Sequence, residues 1–167
     1  MVALPFEGID PPDGRVTFDV DVAGISGAVE RTMALLFQSV RCAGEDDRDS
    51  FRLALTEALN NVVEHSRHPE SEPVFIHVGH SGRSAWACVE DAGVVLPPHL
   101  LGLSTIAPKE PPTDTLELLP EGGWGWTLIR ASVHRLDHTR RAGRNFTLLM
   151  RHFDGAAKAA DRSSGAA

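Results

Sequence analysis

Three observations on this 167-residue chain predict an α+β fold: a two-layer sandwich whose mixed, mostly antiparallel sheet is covered on one face by three helices. The first is a long run without Gly or Pro, Asp46 to Arg67, with apolar residues at helical spacing. The second is a set of shorter strand-like runs, of which Arg15–Val22 alternates cleanly. The third is their order: strand, two helices, two strands, a long loop, a helix and two strands, with no internal repeat.

Residues 1–14 hold three prolines, two glycines and three acids, and read as an N-terminal arm. In Arg15–Val22 the residues Val16, Phe18, Val20 and Val22 share one face of a half-buried strand. Ser26 is placed to cap a helix running to about Cys42, with Val29, Met33, Leu36, Phe37 and Val40 inward. Gly44 ends it. Glu45, Asp46 and Asp47 then suit the positive end of the second helix, whose Phe51, Leu55, Ala58, Leu59, Val62 and Val63 face a core. That helix stops near His68–Pro69.

Glu72–His80 and Ser84–Asp91 read as a hairpin turned at Ser81–Gly82–Arg83. The pattern then fails from Ala92 to Gly123, where six prolines fall at 97, 98, 108, 111, 112 and 120. So long a connection without periodicity is usually functional, so 94–121 is expected to be a lid, with short helical turns near His99–Leu103 and Asp114–Leu119. Trp124–Leu136 reads as a helix. Leu136–Arg141 and Arg144–Phe153 form a closing hairpin turned at Ala142–Gly143. The domain therefore spans 15–153, and the Ala-, Gly- and Ser-rich tail 154–167 is expected to be disordered.

The length suits one domain with its own core, and 42% hydrophobic with 23% charged residues is ordinary for a soluble globular chain. There is no run long enough to span a membrane and no secretory signal pattern, so a cytoplasmic protein is expected. Cys42 and Cys88 lie in apolar surroundings and read as buried thiols rather than a disulfide. A net charge of −7 argues against direct nucleic-acid binding. Arg130, Arg135, Arg140, Arg141, Arg144 and Arg151 crowd the last third and read mainly as solvated strand and hairpin positions.

Several residues carry possible chemistry. Glu57, Asn61 and His65 follow one another at four-residue spacing and stack along one side of the second helix. They are either a solvated surface stripe or a site. Asp91 ends an apolar strand and Gly93 follows; the carboxylate could accept a hydrogen bond from an exocyclic amino group, and the glycine leave room for a flat ring. The competing reading is an Asp–Ala–Gly turn. Gly122, Gly123 and Gly125 allow close backbone approach at the entry to a helix, whose free N–H groups favour an anion. The turn is neither a Walker A sequence nor a dinucleotide fingerprint. His65-x2-His68 straddles a helix end and His77-x2-His80 points to opposite sides of a strand, so neither pair suits zinc. No G-x-S-x-G elbow is present.

The E-x3-N-x3-H helix, EDAGV at 90–94, the turn and helix PEGGWGWTLI at 120–129 and the closing strand RNFTLLMRHF at 144–153, in this order, resemble the histidine-kinase-like ATPase family with its Bergerat nucleotide fold. Within it the chain is most similar to the small anti-sigma-factor serine kinases, over residues 15–153. The resemblance implies ATP and Mg²⁺ as cofactors. Asn61 would ligate Mg²⁺, Glu57 would be the catalytic base, and His65 would support them. Asp91 and Gly93 would receive the adenine, with Thr147 supporting Asp91, and Gly122, Gly123 and Gly125 would receive the phosphates. The family's D-x-G-x-G pattern is broken here, since Val95 stands at the second glycine.

By the same resemblance the function is that of a serine protein kinase and anti-sigma regulatory factor in a partner-switching pathway. Its partners would be a STAS-type anti-sigma-factor antagonist, which it phosphorylates, and a sigma factor; family members commonly form homodimers. The alternative is a non-catalytic binding module that sequesters a partner with or without nucleotide. A sensor catalytic domain is a third reading, weakened because no phosphoacceptor histidine on a dimerisation hairpin precedes the domain.

Overall fold

A computed structural model describes residues 4–19, 22–40, 43–69, 71–96 and 124–153. The elements are β1 (Gly14–Phe18), α1 (Val22–Ser39), α2 (Glu45–His65), β2 (Val74–Ser81), β3 (Ser84–Asp91), α3 (Trp124–Ser132), β4 (Arg135–Arg141) and β5 (Arg144–His152). The five strands form one sheet in the order β1-β2-β3-β5-β4, and every described pairing is antiparallel. The three helices share one hydrophobic core with a single face of the sheet, which is the expected two-layer α+β sandwich.

Helix α2 organises that core. Phe51, Ala54, Leu55, Ala58, Leu59 and Val62 are buried along it at three- and four-residue intervals. Each large one removed from water contributes about 1.5–3 kcal/mol. Across from it, β2 and β3 present Val74, Ile76, Val78, Ala85, Ala87 and Val89 from alternate positions. Glu45, Asp46 and Asp47 occupy the first turn of α2, where the helix dipole favours anions, while Gly44 at the cap offers no side chain.

Several expected boundaries move. The first strand stops at Phe18 and α1 already begins at Val22, so Ser26 is an exposed residue inside the helix and not its cap. Ile25 lies one turn before Val29 on the buried side, and this carries the helical face back past Ser26. Helix α2 ends at His65, with Ser66 as C-cap donating its N–H to the Val62 carbonyl and Arg67 at a φ of 48°. Helix α3 is shorter than the expected Trp124–Leu136, because His134 already donates its N–H to the Met150 carbonyl and β4 starts at Arg135. The hairpin between β4 and β5 turns at Ala142 and Gly143, both with positive φ, as two-residue turns favour.

The second face of the sheet is also apolar. Trp86, Cys88, Phe146, Leu148 and Met150 form a buried cluster there, and Leu4, Phe6 and Ile9 of the N-terminal arm pack against it. The arm is thus part of the packed structure. Burial, and then the nearby Glu90 charge, push the Cys88 thiol far above its ordinary range. Cys42, the two short helical turns, the lid beyond Leu96 and the tail lie outside the described residues.

Arg140 and Arg141 are exposed, as expected at a hairpin, but four arginines of the last third also make specific bonds. Arg135 reaches Asp137 and the Glu7 carbonyl. Arg140 reaches Asn145 and the Gly93 carbonyl, and Arg144 pairs with Glu72 and Glu90. Arg151 holds Asp47 and the Ser132 carbonyl. Each ties the last hairpin to another part of the chain.

Candidate functional site

A cavity of about 660 Å³ opens between α2, the ends of β3 and β5, and the start of α3. Glu57, Asn61, His65, Asp91, Gly125 and Thr147 all line it, together with Arg67, Val95, Trp126 and Asn145. It follows α2 from Glu57 to Ser66, a distance of about 13 Å at the helical rise per residue.

At the Glu57 end, α3 lies close to α2 because Gly125 has no side chain. A Cβ there would stand 3.1 Å from Glu57 Oε2 and 3.3 Å from Asn61 Oδ1. Gly125 belongs to the first turn of α3 rather than to the preceding turn, and Gly122 and Gly123 lie outside the described residues. The carboxylate and carboxamide oxygens therefore converge on one small space beneath the N-terminus of a helix. The Asn61 amide nitrogen is buried and has no hydrogen-bond partner. Hard-cation chemistry fits this pair of oxygens, provided a ligand supplies the rest of the shell. Among the described residues no group of three or more His, Cys, Asp and Glu could hold a metal ion alone. His65 is exposed at the last turn of α2, with its Nε2 3.6 Å from Glu64.

At the other end, Asp91 is 4% exposed, and its Oδ1 accepts from the Gly93 N–H at 2.7 Å and from Asn145 Nδ2 at 3.0 Å. Neither of these donors uses Oδ2. Gly93 is set back from the cavity wall. Its missing side chain admits α2 rather than a ring: a Cβ there would meet the Ser66 carbonyl oxygen at 2.4 Å. The Val94 N–H donates to that same carbonyl at 2.6 Å, so the C-terminus of α2 and the turn after β3 are joined. Val95 is 62% exposed at the cavity mouth. Among the described non-glycine residues only Arg67 and Ala142 have positive φ, so the backbone at Val95 does not call for a glycine.

Thr147 does not bond to Asp91. The strand register sets Asn145 opposite Asp91 and Thr147 opposite Val89, two residues along. The Thr147 hydroxyl lies 3.0 Å from His138 Nδ1 instead. Burial lowers the pKa of His138, an effect countered by the Asp91 charge and reinforced by Arg140.

Sequence reasoning missed Asn145, which is 1% exposed. Its Nδ2 donates to Asp91 and, at 3.0 Å, to the Val94 carbonyl, while its Oδ1 accepts from Arg140 at 2.6 Å. A signal was present. In β5 the alternate residues Phe146, Leu148 and Met150 are apolar, whereas Asn145 and Thr147 put polar groups on the face that should be core. His68, considered only as a metal ligand, has both ring nitrogens engaged, one with the Ala92 N–H and one with the Glu72 carbonyl.

Fold and cavity together define a single-sheet α+β domain with an open cavity along its central helix. Residues 21–151 match the histidine kinase-like ATPase domain, and the chain belongs to that family. No curated protein matches the chain in sequence. Among solved structures, the RsbU and RsbW domains of Rv1364c from Mycobacterium tuberculosis superpose with a TM-score of 0.56 at 18% identity, over 86% of this chain and 32% of that one. The chain thus spans about a third of that protein's length. The histidine kinase AdeS of Acinetobacter baumannii gives a TM-score of 0.44 at 11% identity, over 85% and 68% of the two chains. The mycobacterial sensor histidine kinase MprB gives 0.43 at 14%, over 83% and 99%. The likeness to the first of these is one of fold alone. Among the described residues no helix is long and apolar enough to cross a membrane.

Proposed function

We propose that this member of the family is an ATP- and Mg²⁺-dependent serine protein kinase of the anti-sigma type, working in the cytoplasm. Its substrate would be a serine of a STAS-type anti-sigma-factor antagonist, and its second partner a sigma factor. The observation that supports this best is the pairing of contrasting ends in one cavity. A buried carboxylate with one oxygen held by the protein lies at one end, and Glu57 and Asn61 converge beneath Gly125 at the other. The similarity of the E-x3-N-x3-H helix to the anti-sigma-factor kinases, and the fold shared with a chain that carries an RsbW domain, agree with it.

In this reading Asp91 accepts the exocyclic amino group of adenine, oriented by Asn145 and the Gly93 N–H. The N–H groups at the start of α3, with Gly122 and Gly123 before them, bind phosphate oxygens. Asn61 offers its amide oxygen to Mg²⁺, which when bound neutralises phosphate charge. Glu57, one turn earlier on α2, takes the proton of the incoming serine hydroxyl as the serine oxygen bonds to the γ-phosphorus and the bond from that phosphorus to its bridging oxygen breaks, releasing ADP. Domain closure would fall to residues 94–121.

The test is titration with a fluorescent ATP analogue with and without Mg²⁺, followed by radiolabelled transfer from ATP to candidate STAS antagonists. Mg²⁺-dependent binding and serine phosphorylation are expected. Tight binding without transfer to any antagonist would instead assign the chain as a nucleotide-dependent binding module.

A further inference from the structure

The turn that follows β3 has three successive N–H groups, and each has a different acceptor. Gly93 donates to Asp91 Oδ1 and Val94 to the Ser66 carbonyl. Ala92 donates to His68 Nδ1 at 2.9 Å. The opposite ring nitrogen, Nε2, lies 2.7 Å from the Glu72 carbonyl oxygen. A carbonyl only accepts, so Nε2 carries the proton and Nδ1 keeps a lone pair. The partners thus dictate a neutral ring and its tautomer. His68 is 8% exposed. Of the three acceptors, it alone lies outside the β3 turn and outside the main chain.

We infer that His68 is a positioning residue for the base end of the site: its neutral ring fixes Ala92 and with it the Asp91 carboxylate. The inference rests on the reading of Asp91 as the residue that recognises the base. A second proton on the ring would set an Nδ1–H against the Ala92 N–H in a buried site, leaving both donors unmatched. Glu72 and Glu90 are paired with Arg144. Neither ring nitrogen meets a carboxylate.

The experiment uses the full chain. Ring ¹⁵N shifts without nucleotide should show the Nε2–H tautomer at about pH 7.5, and the Asp91 and Ala92 amide signals should move in His68→Ala. His68→Ala removes the acceptor for the Ala92 N–H, and its affinity for a fluorescent ATP analogue should fall about tenfold or more. His68→Asn places a carboxamide oxygen near the Nδ1 position and should bind within a few-fold of wild type. Equal affinity in wild type and His68→Ala would overturn the inference, as would a ring that is cationic or Nδ1-protonated at neutral pH. Should the variants not fold, the tautomer of wild type decides alone. If wild type binds no nucleotide, the ATP reading fails. The positioning role is then judged by the amides: unmoved Asp91 and Ala92 amide signals in His68→Ala overturn it.

Discussion

The two ends of the cavity are built differently. At the Asp91 end almost every polar group is committed within the protein: Asn145, Arg140, His68 and Ser66 hold one four-residue turn from both sides. At the Glu57 end an amide nitrogen is buried without a partner, and two oxygens converge against a glycine. A rigid, satisfied network suits recognition of an uncharged planar group, where one hydrogen bond in a fixed place discriminates. Groups left unmatched at the other end suit a ligand that brings its own charge and metal. The contrast predicts that substitutions at the Glu57 end damage chemistry more than binding, and those at the Asp91 end damage binding or stability.

The largest effect should come from Glu57→Gln. It keeps the shape and removes the base, so ATP binding should stay near normal while phosphoryl transfer to the cognate antagonist slows by roughly 10²–10⁴-fold. Equal transfer rates in single-turnover assays would show that Glu57 is not the base. Asp91→Asn comes next. The new Oδ1 can still accept from Gly93 and Asn145, leaving the fold intact, but its amide would face the amino group of adenine donor to donor. Binding should weaken by about 1–3 kcal/mol with little change in melting temperature. A large loss of stability with unchanged affinity would reverse the assignment of this end.

The glycines compare the ends directly. Gly93→Ala sets a Cβ 2.4 Å from the backbone oxygen of Ser66, which cannot yield without moving the end of α2. It should cost about 1–3 kcal/mol of stability, read by denaturant titration. Gly125→Ala meets only the ends of Glu57 and Asn61, and gains helix propensity of about 1 kcal/mol. Its stability should change by less than about 1 kcal/mol, while Mg²⁺-dependent nucleotide binding weakens. Similar stability losses in both variants would erase the distinction.

Much of this was legible in the sequence. The hairpin signal between β2 and β3 and the apolar stripe of α2 were strong enough to indicate the sandwich, and four-residue spacing set Glu57 and Asn61 on one side of α2. The start of α1 was not legible, because Val22 continues the strand alternation of Val16 and Phe18 in sequence although it lies in the helix. The brace of Asp91 was hidden for another reason. Asn145, Arg140 and His68 are distant in sequence, and only the strand register and the end of α2 bring them together. Gly93 shows the same limit: a glycine after Asp91 suggested room for a ligand, whereas its neighbour is the protein's own Ser66.

The smallest expected effect concerns the protonation of the Asp91 end. Burial depresses the pKa of His138 below its ordinary 6.5, against the pull of Asp91 and with the push of Arg140. The unfolded chain then binds a proton on this residue at a pH where the folded protein does not, so acid favours unfolding. The contribution is fully present above the ordinary value and is lost as the pH falls through the lower folded value. Stability measured by denaturant titration should therefore rise with pH up to about 6.5 on account of this group and gain nothing from it beyond. His138→Gln keeps a polar partner for Thr147 without titrating, and should flatten that part of the profile. Since His138 is only partly buried, the change should be modest beside that at Gly93. A variant whose profile is as steep as wild type would place the pH sensitivity of this end elsewhere, with His68 the next group to substitute.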